Sequence, residues 1–199
     1  NAAIFRDIIP AILEHAPGAV LVVTTNPVDV MTHVATRIAV RMDVPSARVI
    51  GSGTVLDTAR FRTLLGQHLG IDSGHVHAYV VGEHGDSEVM AWSLVTVGGL
   101  SIDEICPLMG LELGDAEKER IGNDVRRAAY EIISGKGASY YGIGSALAHV
   151  IDVVLHDHRG ILTVSTLLPD VEGVPDVTLS QPHLIGGQGI IARLPLPLD

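Results

Sequence analysis

The passage from Ala19 to Asp29 restricts the fold of this chain more than any other. There the apolar run Ala19-Val20-Leu21-Val22-Val23 leads into the polar turn Thr24-Thr25-Asn26-Pro27-Val28-Asp29 and then into a helical pattern. An apolar run without alternation reads as a strand buried on both faces, as in parallel sheets covered by helices. Such a strand, ending in a polar turn just before a helix, marks the crevice beyond the carboxyl ends of the strands where α/β sheets bind ligands. Asn26 is expected at that crevice.

Helical and strand patterns alternate along the chain, which gives an α/β fold class. Residues 1–16 read as a helix with Ile4, Ile8 and Ile12 on one stripe, bent or interrupted at Pro10. The strand at 19–25 is followed by a helix at about 28–41 and a short strand around 47–50. The turn Gly51-Ser52-Gly53 is the expected domain boundary. Beyond it the pattern predicts a helix at 55–69, strands at about 75–82 and 89–97, and a Gly98-Gly99 turn. Two helices, about 115–134 and 139–156, are separated by Ser134-Gly135-Lys136-Gly137, a stop and a restart. From Gly160 short apolar runs alternate with Pro, Gly and Asp, which reads as antiparallel strands.

The chemistry concentrates at Val81-Gly82-Glu83-His84-Gly85-Asp86-Ser87, a histidine between two glycines and two acids at the end of an apolar run. Imidazole both takes and gives a proton near pH 7, and flanking glycines leave room for a small molecule to approach. A second segment, Gly51 to Arg62, reads as a glycine turn opening a helix on which Asp57 and Arg60 are three residues apart and share one face. Arg62, five residues from Asp57, points roughly 140° away around that helix. His84 has a bland alternative as a loop histidine satisfied by its neighbours. Arg60 has one as a surface cation paired with Asp57. His75, His77, His84 and Asp86 raise a metal hydrolase as a rival class, but they lack a compact ligand spacing of known type. Cys106, before Pro107 in a loop-like stretch, reads as inert because nothing near it in sequence would lower its pKa.

Taken together, these segments resemble the lactate/malate dehydrogenase family. The likeness covers the whole chain and continues through Arg126-Arg127-Ala128-Ala129-Tyr130-Glu131-Ile132-Ile133 and Lys136-Gly137-Ala138-Ser139-Tyr140-Tyr141-Gly142-Ile143-Gly144. Gly-Glu-His-Gly-Asp looks like the lactate branch in its bacterial allosteric form, whereas malate enzymes usually show Gly-Gly-His-Gly-Asp. The resemblance implies the C-terminal part of a Rossmann-type doubly wound sheet at 1–50, followed by an α+β substrate domain at 51–199 that lacks the family's final helix. It implies an NAD-dependent oxidoreductase that interconverts pyruvate and L-lactate, with malate as the alternative substrate pair. His84 would exchange the proton, Asp57 would orient it, and Arg60 would grip the substrate carboxylate. Asn26, Asp29 and Ser139 would contact substrate, Ser139 standing where threonine is usual, and Thr24, Thr25, Asn26 and Ser52 would lie near the cofactor. Arg62 and His77 match the positions that bind fructose 1,6-bisphosphate between subunits of a homotetramer; their bland reading is as interface or solvated residues. No Gly-x-Gly-x-x-Gly follows a strand here, and Asn1-Ala2-Ala3-Ile4-Phe5-Arg6 resembles the helix after the family's mobile loop. The expectation is therefore a piece cut at both ends, for which an inactive assembly module is the second reading.

Composition narrows the partners. With 47% hydrophobic and 18% charged residues a sizeable core is available, and a net charge of -10 argues against nucleic acid and anionic membranes. A single cysteine cannot form an internal disulfide, and the chain has no apolar stretch of membrane-spanning length. A cytoplasmic location and no bound metal are expected.

Overall fold

The computed structural model describes residues 1–196, so the last three residues of the expected second domain lie outside the described residues. In chain order the elements are α1 (Ala2–His15), β1 (Leu21–Val23), α2 (Val28–Val40), β2 (Val49–Gly51), α3 (Val55–Leu69), β3 (Val76–His77), β4 (Val80–Val81), β5 (Val89–Met90), β6 (Thr96–Val97) and β7 (Leu100–Ser101). They continue with α4 (Ile102–Leu108), α5 (Asp115–Lys136), α6 (Tyr141–Leu155), β8 (Gly160–Val171), β9 (Val174–Gly186) and β10 (Gly189–Arg193).

The apolar run expected to be a parallel strand buried on both faces is parallel but largely half-buried, with only Val23 of β1 buried and β1 at the end of the strand order. Leu21 to Val23 pair in parallel with Val49 to Gly51, and α2 makes the crossover between them. The sheet then changes direction. β8 joins β2 antiparallel at the pair Gly51 and Ser165, and the order across five strands is β1-β2-β8-β9-β10. One sheet thus runs through residues on both sides of the Gly51-Ser52-Gly53 turn. That turn is locked in place, since Gly53 has φ +49 and a Cβ there would press on Ser180 and come within 2.6 Å of the Ser165 nitrogen.

Apolar side chains collect in three groups around this frame. Ile9, Leu13, Val28, Met31 and Val49 pack α1 and α2 on the parallel pair. Phe61, Leu65, Ile121 and Val125 pack α3 on α5, with Phe61 set edge-on to Trp92 at 4.7 Å. Ile50, Val150, Val153, Val164 and Ile185 seat α6 on the long strands. Each large apolar side chain fully buried this way contributes about 1.5–3 kcal/mol relative to exposure.

Several expectations need correction. The stripe Ile4, Ile8, Ile12 faces outward; the inward row is partly buried Phe5 with buried Ile9 and Leu13, one residue further round the helix. Both rows have the same i, i+4, i+8 spacing, so only packing on α2 chooses between them. α1 runs unbroken through Pro10, and the carbonyl deprived of its bond belongs to Arg6, which is exposed to water. The strand expected at 75–82 is two strands in different sheets, joined across Ala78 and Tyr79, although inward positions still alternate at Val76, Ala78 and Val80. The strand expected at 89–97 is interrupted by a 3-10 turn carrying Trp92. Cys106 lies on a helix, α4, and not in a loop. The tail holds long strands of 12 and 13 residues in place of short runs.

Candidate functional site

His84 stands on the loop 82–88 that joins β4 to β5. Gly82 has φ +92 and Gly85 has φ +147, so the two glycines that flank the motif are required by the backbone path. The loop is fastened at its base by a pair of 2.8 Å hydrogen bonds between the backbones of Gly82 and Ser180, and at its tip by Asp29. Asp29, in the first turn of α2, accepts the backbone N–H of His84 at 2.8 Å on one oxygen and the hydroxyl of Ser165 on the other. Burial pushes the Asp29 carboxyl above the usual carboxylate range, against the pull of those two bonds.

The first turn of α3 supplies the second half of the site. Asp57, 2% exposed, divides its carboxylate between two partners: His84 Nδ1 at 2.6 Å and Arg60 Nη1 at 2.9 Å. The shared helix face read from the sequence is thus occupied by a single three-residue assembly. The hydrogen bond to Asp57 raises the His84 pKa most; burial opposes it, and the charges of Asp57, Glu88 and Asp29 reinforce it. With Nδ1 committed to the carboxylate, Nε2 is the ring nitrogen left for proton exchange, on a side chain 26% exposed. Arg60 spends one nitrogen on Asp57 and is 14% exposed, and its guanidinium has further donors for an anion.

The remaining expected residues surround this assembly at different distances from it. Thr24 and Asn26 are exposed beyond β1, Thr25 is half-buried, and Ser52 beyond β2 donates its backbone N–H to Val23 at 2.8 Å. β1 and β2 are parallel, so these residues mark one edge of the sheet, and Asp29 ties the His84 loop to that same edge. Exposed amide and hydroxyl groups at the carboxyl ends of parallel strands lie where α/β sheets bind ligands. Ser139 lies in the turn before α6, its hydroxyl near Gly142, where an added Cβ would stand 3.9 Å from it and 3.3 Å from Leu56 of α3. Arg62 lies over the Tyr79 ring and donates from Nε at 2.9 Å to the carbonyl of Ala78, the residue after exposed His77. Arg60 and Arg62 line one open cleft of about 930 Å³ bordered by α3, α5, α6 and β8, although the helical angle separates them.

His75, His77 and Asp86 do not gather with His84 into a metal-sized group among the described residues. The groups that do come together are Asp57, His84, Glu88 and, at the surface, Asp152, His156, His158. Sequence reading missed Glu88 altogether. The signal was an acid directly before the apolar pair Val89-Met90, at a position that is buried in the structure. Arg126, quoted only within a motif, holds the Glu88 carbonyl from Nε at 3.3 Å and from Nη2 at 2.9 Å.

A carboxylate-oriented histidine and a partly buried arginine thus stand together beside the end of a parallel strand pair in an α/β protein, a proton-exchanging group next to a cation. Comparison with known proteins carries this further. Residues 1–51 match the model for the lactate/malate dehydrogenase NAD binding domain, and residues 54–199 match that for the lactate/malate dehydrogenase alpha/beta C-terminal domain. The chain belongs to the lactate/malate dehydrogenase family. It is 58% identical to an L-lactate dehydrogenase of Geotalea daltonii over all 199 residues, or 64% of that protein. It is 53% identical to one of Thermus aquaticus over 98% of the chain and 62% of that protein, and 50% identical to one of Chloroherpeton thalassium over 96% and 60%. The chain therefore spans less than two thirds of the length of these relatives. Among the described residues, no helix is long and apolar enough to cross a membrane.

Proposed function

We propose that the protein to which this chain belongs reduces pyruvate to L-lactate, reversibly, with NADH. The observation that carries this reading is the division of Asp57 between His84 at 2.6 Å and Arg60 at 2.9 Å, which ties a proton donor and an anion clamp to one buried carboxylate. NADH, when bound, supplies a hydride to the carbonyl carbon. His84 gives the proton from Nε2 to the carbonyl oxygen and takes it back in lactate oxidation. Asp57 keeps the proton of Nδ1 in place and stabilises the imidazolium. Arg60 grips the substrate carboxylate with the planar fork that lysine lacks. Thr24, Thr25, Asn26 and Ser52 border the nicotinamide, Asn26 also reaches the substrate oxygen, and Ser139 forms part of the wall around the substrate methyl. Asp29 anchors the His84 loop with one oxygen and holds Ser165 with the other, and its remaining lone pairs leave it able to contact substrate as well.

Pyruvate is favoured over oxaloacetate by Gly82-Glu83-His84-Gly85-Asp86 and by the names of the relatives. Arg62 and His77 bind the phosphates of fructose 1,6-bisphosphate between subunits of a homotetramer; two subunits together supply the charge that one lacks. A cytoplasmic setting accompanies this reading and suits the unpaired Cys106. The test is NADH oxidation by the full-length protein with pyruvate and, separately, oxaloacetate, with and without the bisphosphate. Activity confined to pyruvate, lost on His84→Asn and raised by the bisphosphate, supports all three parts. Inactivity with both acids overturns the enzymatic reading and leaves an assembly module. A rate and a tetramer unchanged by the bisphosphate remove the effector.

A further inference from the structure

We propose that Glu88 is a positioning residue for the proton step: its buried carboxylate, beside the Asp57–His84 pair and partly unpartnered, holds the ring proton of His84 and sets the pH range over which that proton is available. The proposal rests on the acid–base role given to His84 above.

Three observations converge on it. Glu88 is 2% exposed, and its Oε1 has no hydrogen-bond partner among the described residues. Buried carboxylates are ordinarily paired or bonded, and one kept without a full set of partners calls for an explanation. Its carboxyl also lies within 4.8 Å of both an Asp57 oxygen and a His84 ring nitrogen, close enough for each charge to act on the others through a poorly screened interior. Finally, Arg126 of α5 holds the Glu88 backbone carbonyl with two nitrogens, which fixes the residue where β5 begins.

The charged groups around it come from every side. Asp57 and Arg60 face Glu88 from α3, His84 from the loop, and Arg126 from α5, while Asp29 of α2 acts on His84 from beyond. Burial first, and then the charge of Asp57, push the Glu88 carboxyl up to about 7, against the pull of His84, Arg126 and Arg60. Glu88 therefore ionises in the range where a histidine works, and the two titrate as a coupled pair. As the pH rises Glu88 becomes negative, and that charge keeps the neighbouring imidazolium protonated at a pH where Asp57 alone would release it. Loss of the His84 proton in turn leaves Glu88 facing Asp57 as a like charge, which favours its own protonation. Keto-acid reduction needs the imidazolium, so the carboxylate extends that direction of the reaction towards alkaline pH.

The test is Glu88→Gln, an uncharged side chain of nearly the same shape, in the full-length protein without cofactor. The His84 ring is followed by NMR titration, and the pH profile of pyruvate reduction is measured in parallel. Expected are a downward move of the His84 midpoint by about one unit, and the same move of the alkaline limb of kcat/KM, with the plateau rate at low pH within about threefold of the parent. A His84 midpoint that stays where it was overturns the proposal, whatever the rates. If His84→Asn leaves pyruvate reduction intact, the acid–base reading fails, while the titration still decides the influence of Glu88. A second measurement needs no substitution: the carboxyl carbon of Glu88 in the parent protein should show two inflections, one coinciding with His84. A single inflection unrelated to His84 overturns the coupling.

Discussion

At the scale of residues, the Asp57 carboxylate is the hub, and its two bonds separate two kinds of failure. His84→Asn removes the proton donor and should lower kcat for pyruvate reduction by roughly 10²–10⁴ with little change in melting temperature, read by steady-state kinetics beside a thermal melt. Asp57→Asn removes the strongest influence raising the His84 pKa, so the alkaline limb of the same reaction should move to lower pH. Arg60→Lys keeps the charge and loses the fork; KM for the keto acid should rise about 10–100-fold while kcat changes less. The Asp57–Arg60 pairing was legible because a helix brings residues three apart together whatever surrounds it. Asp29 and Glu88 were not legible in their present roles. Their partners, Ser165 for the one and Arg126 for the other, lie 136 and 38 residues away in the chain, and no local spacing encodes that meeting.

Among the elements, those with a strong local signature fell where the sequence placed them. α3 runs Val55–Leu69 as the pattern at 55–69 required, opened by a glycine turn and closed by Gly70 at φ +67. α4 was overlooked although Ser101 and Glu104 carry its start signal: the Glu104 carboxylate accepts the Ser101 N–H at 2.8 Å and the Ser101 hydroxyl at 2.6 Å. Pro107 inside the helix hid it. Ser101→Ala should cost about 1 kcal/mol in urea denaturation, the usual value of a start cap. α1 shows the limit of periodicity, since two adjacent apolar rows compete and burial selects the one containing Ile9. Ile9→Ala should cost about 2–4 kcal/mol, the loss of a filled core position, measured by the same denaturation. The short strands β3 to β7 were blurred for a different reason. Each has only two residues, and pairing across sheets, not propensity, decides where one stops and the next begins.

For the whole molecule, buried titratable groups on opposite sides of neutrality shape stability. His183 is 1% exposed, with Nδ1 against the Gln181 carbonyl at 2.7 Å, and burial holds its pKa below the ordinary value. The unfolded chain takes up that proton first, so the stability His183 confers is present above about pH 6.5 and is lost as the pH falls towards the depressed folded value. Glu88 acts in the other sense: its contribution is whole below about 4.5 and is lost as the pH rises through about 7. His84, raised by Asp57, likewise loses its share above its ordinary value. Above about pH 6.5 Glu88 and His84 both lose stability with rising pH while His183 adds none, so melting temperature should fall there, and His183→Gln should remove the gain that His183 contributes on approach to that pH from the acid side. The α/β class was readable from the chain, but the antiparallel joining of β2 to β8 was not, because Gly51 and Ser165 meet across more than a hundred residues. The same core that organises these layers encloses the single thiol of the chain, Cys106, whose pKa burial lifts above its usual value. A thiol reagent reaches it only when α4 lifts from the core it helps to cover, so the speed of labelling under native conditions is a stopwatch for the breathing of that layer, built into the molecule with no probe added.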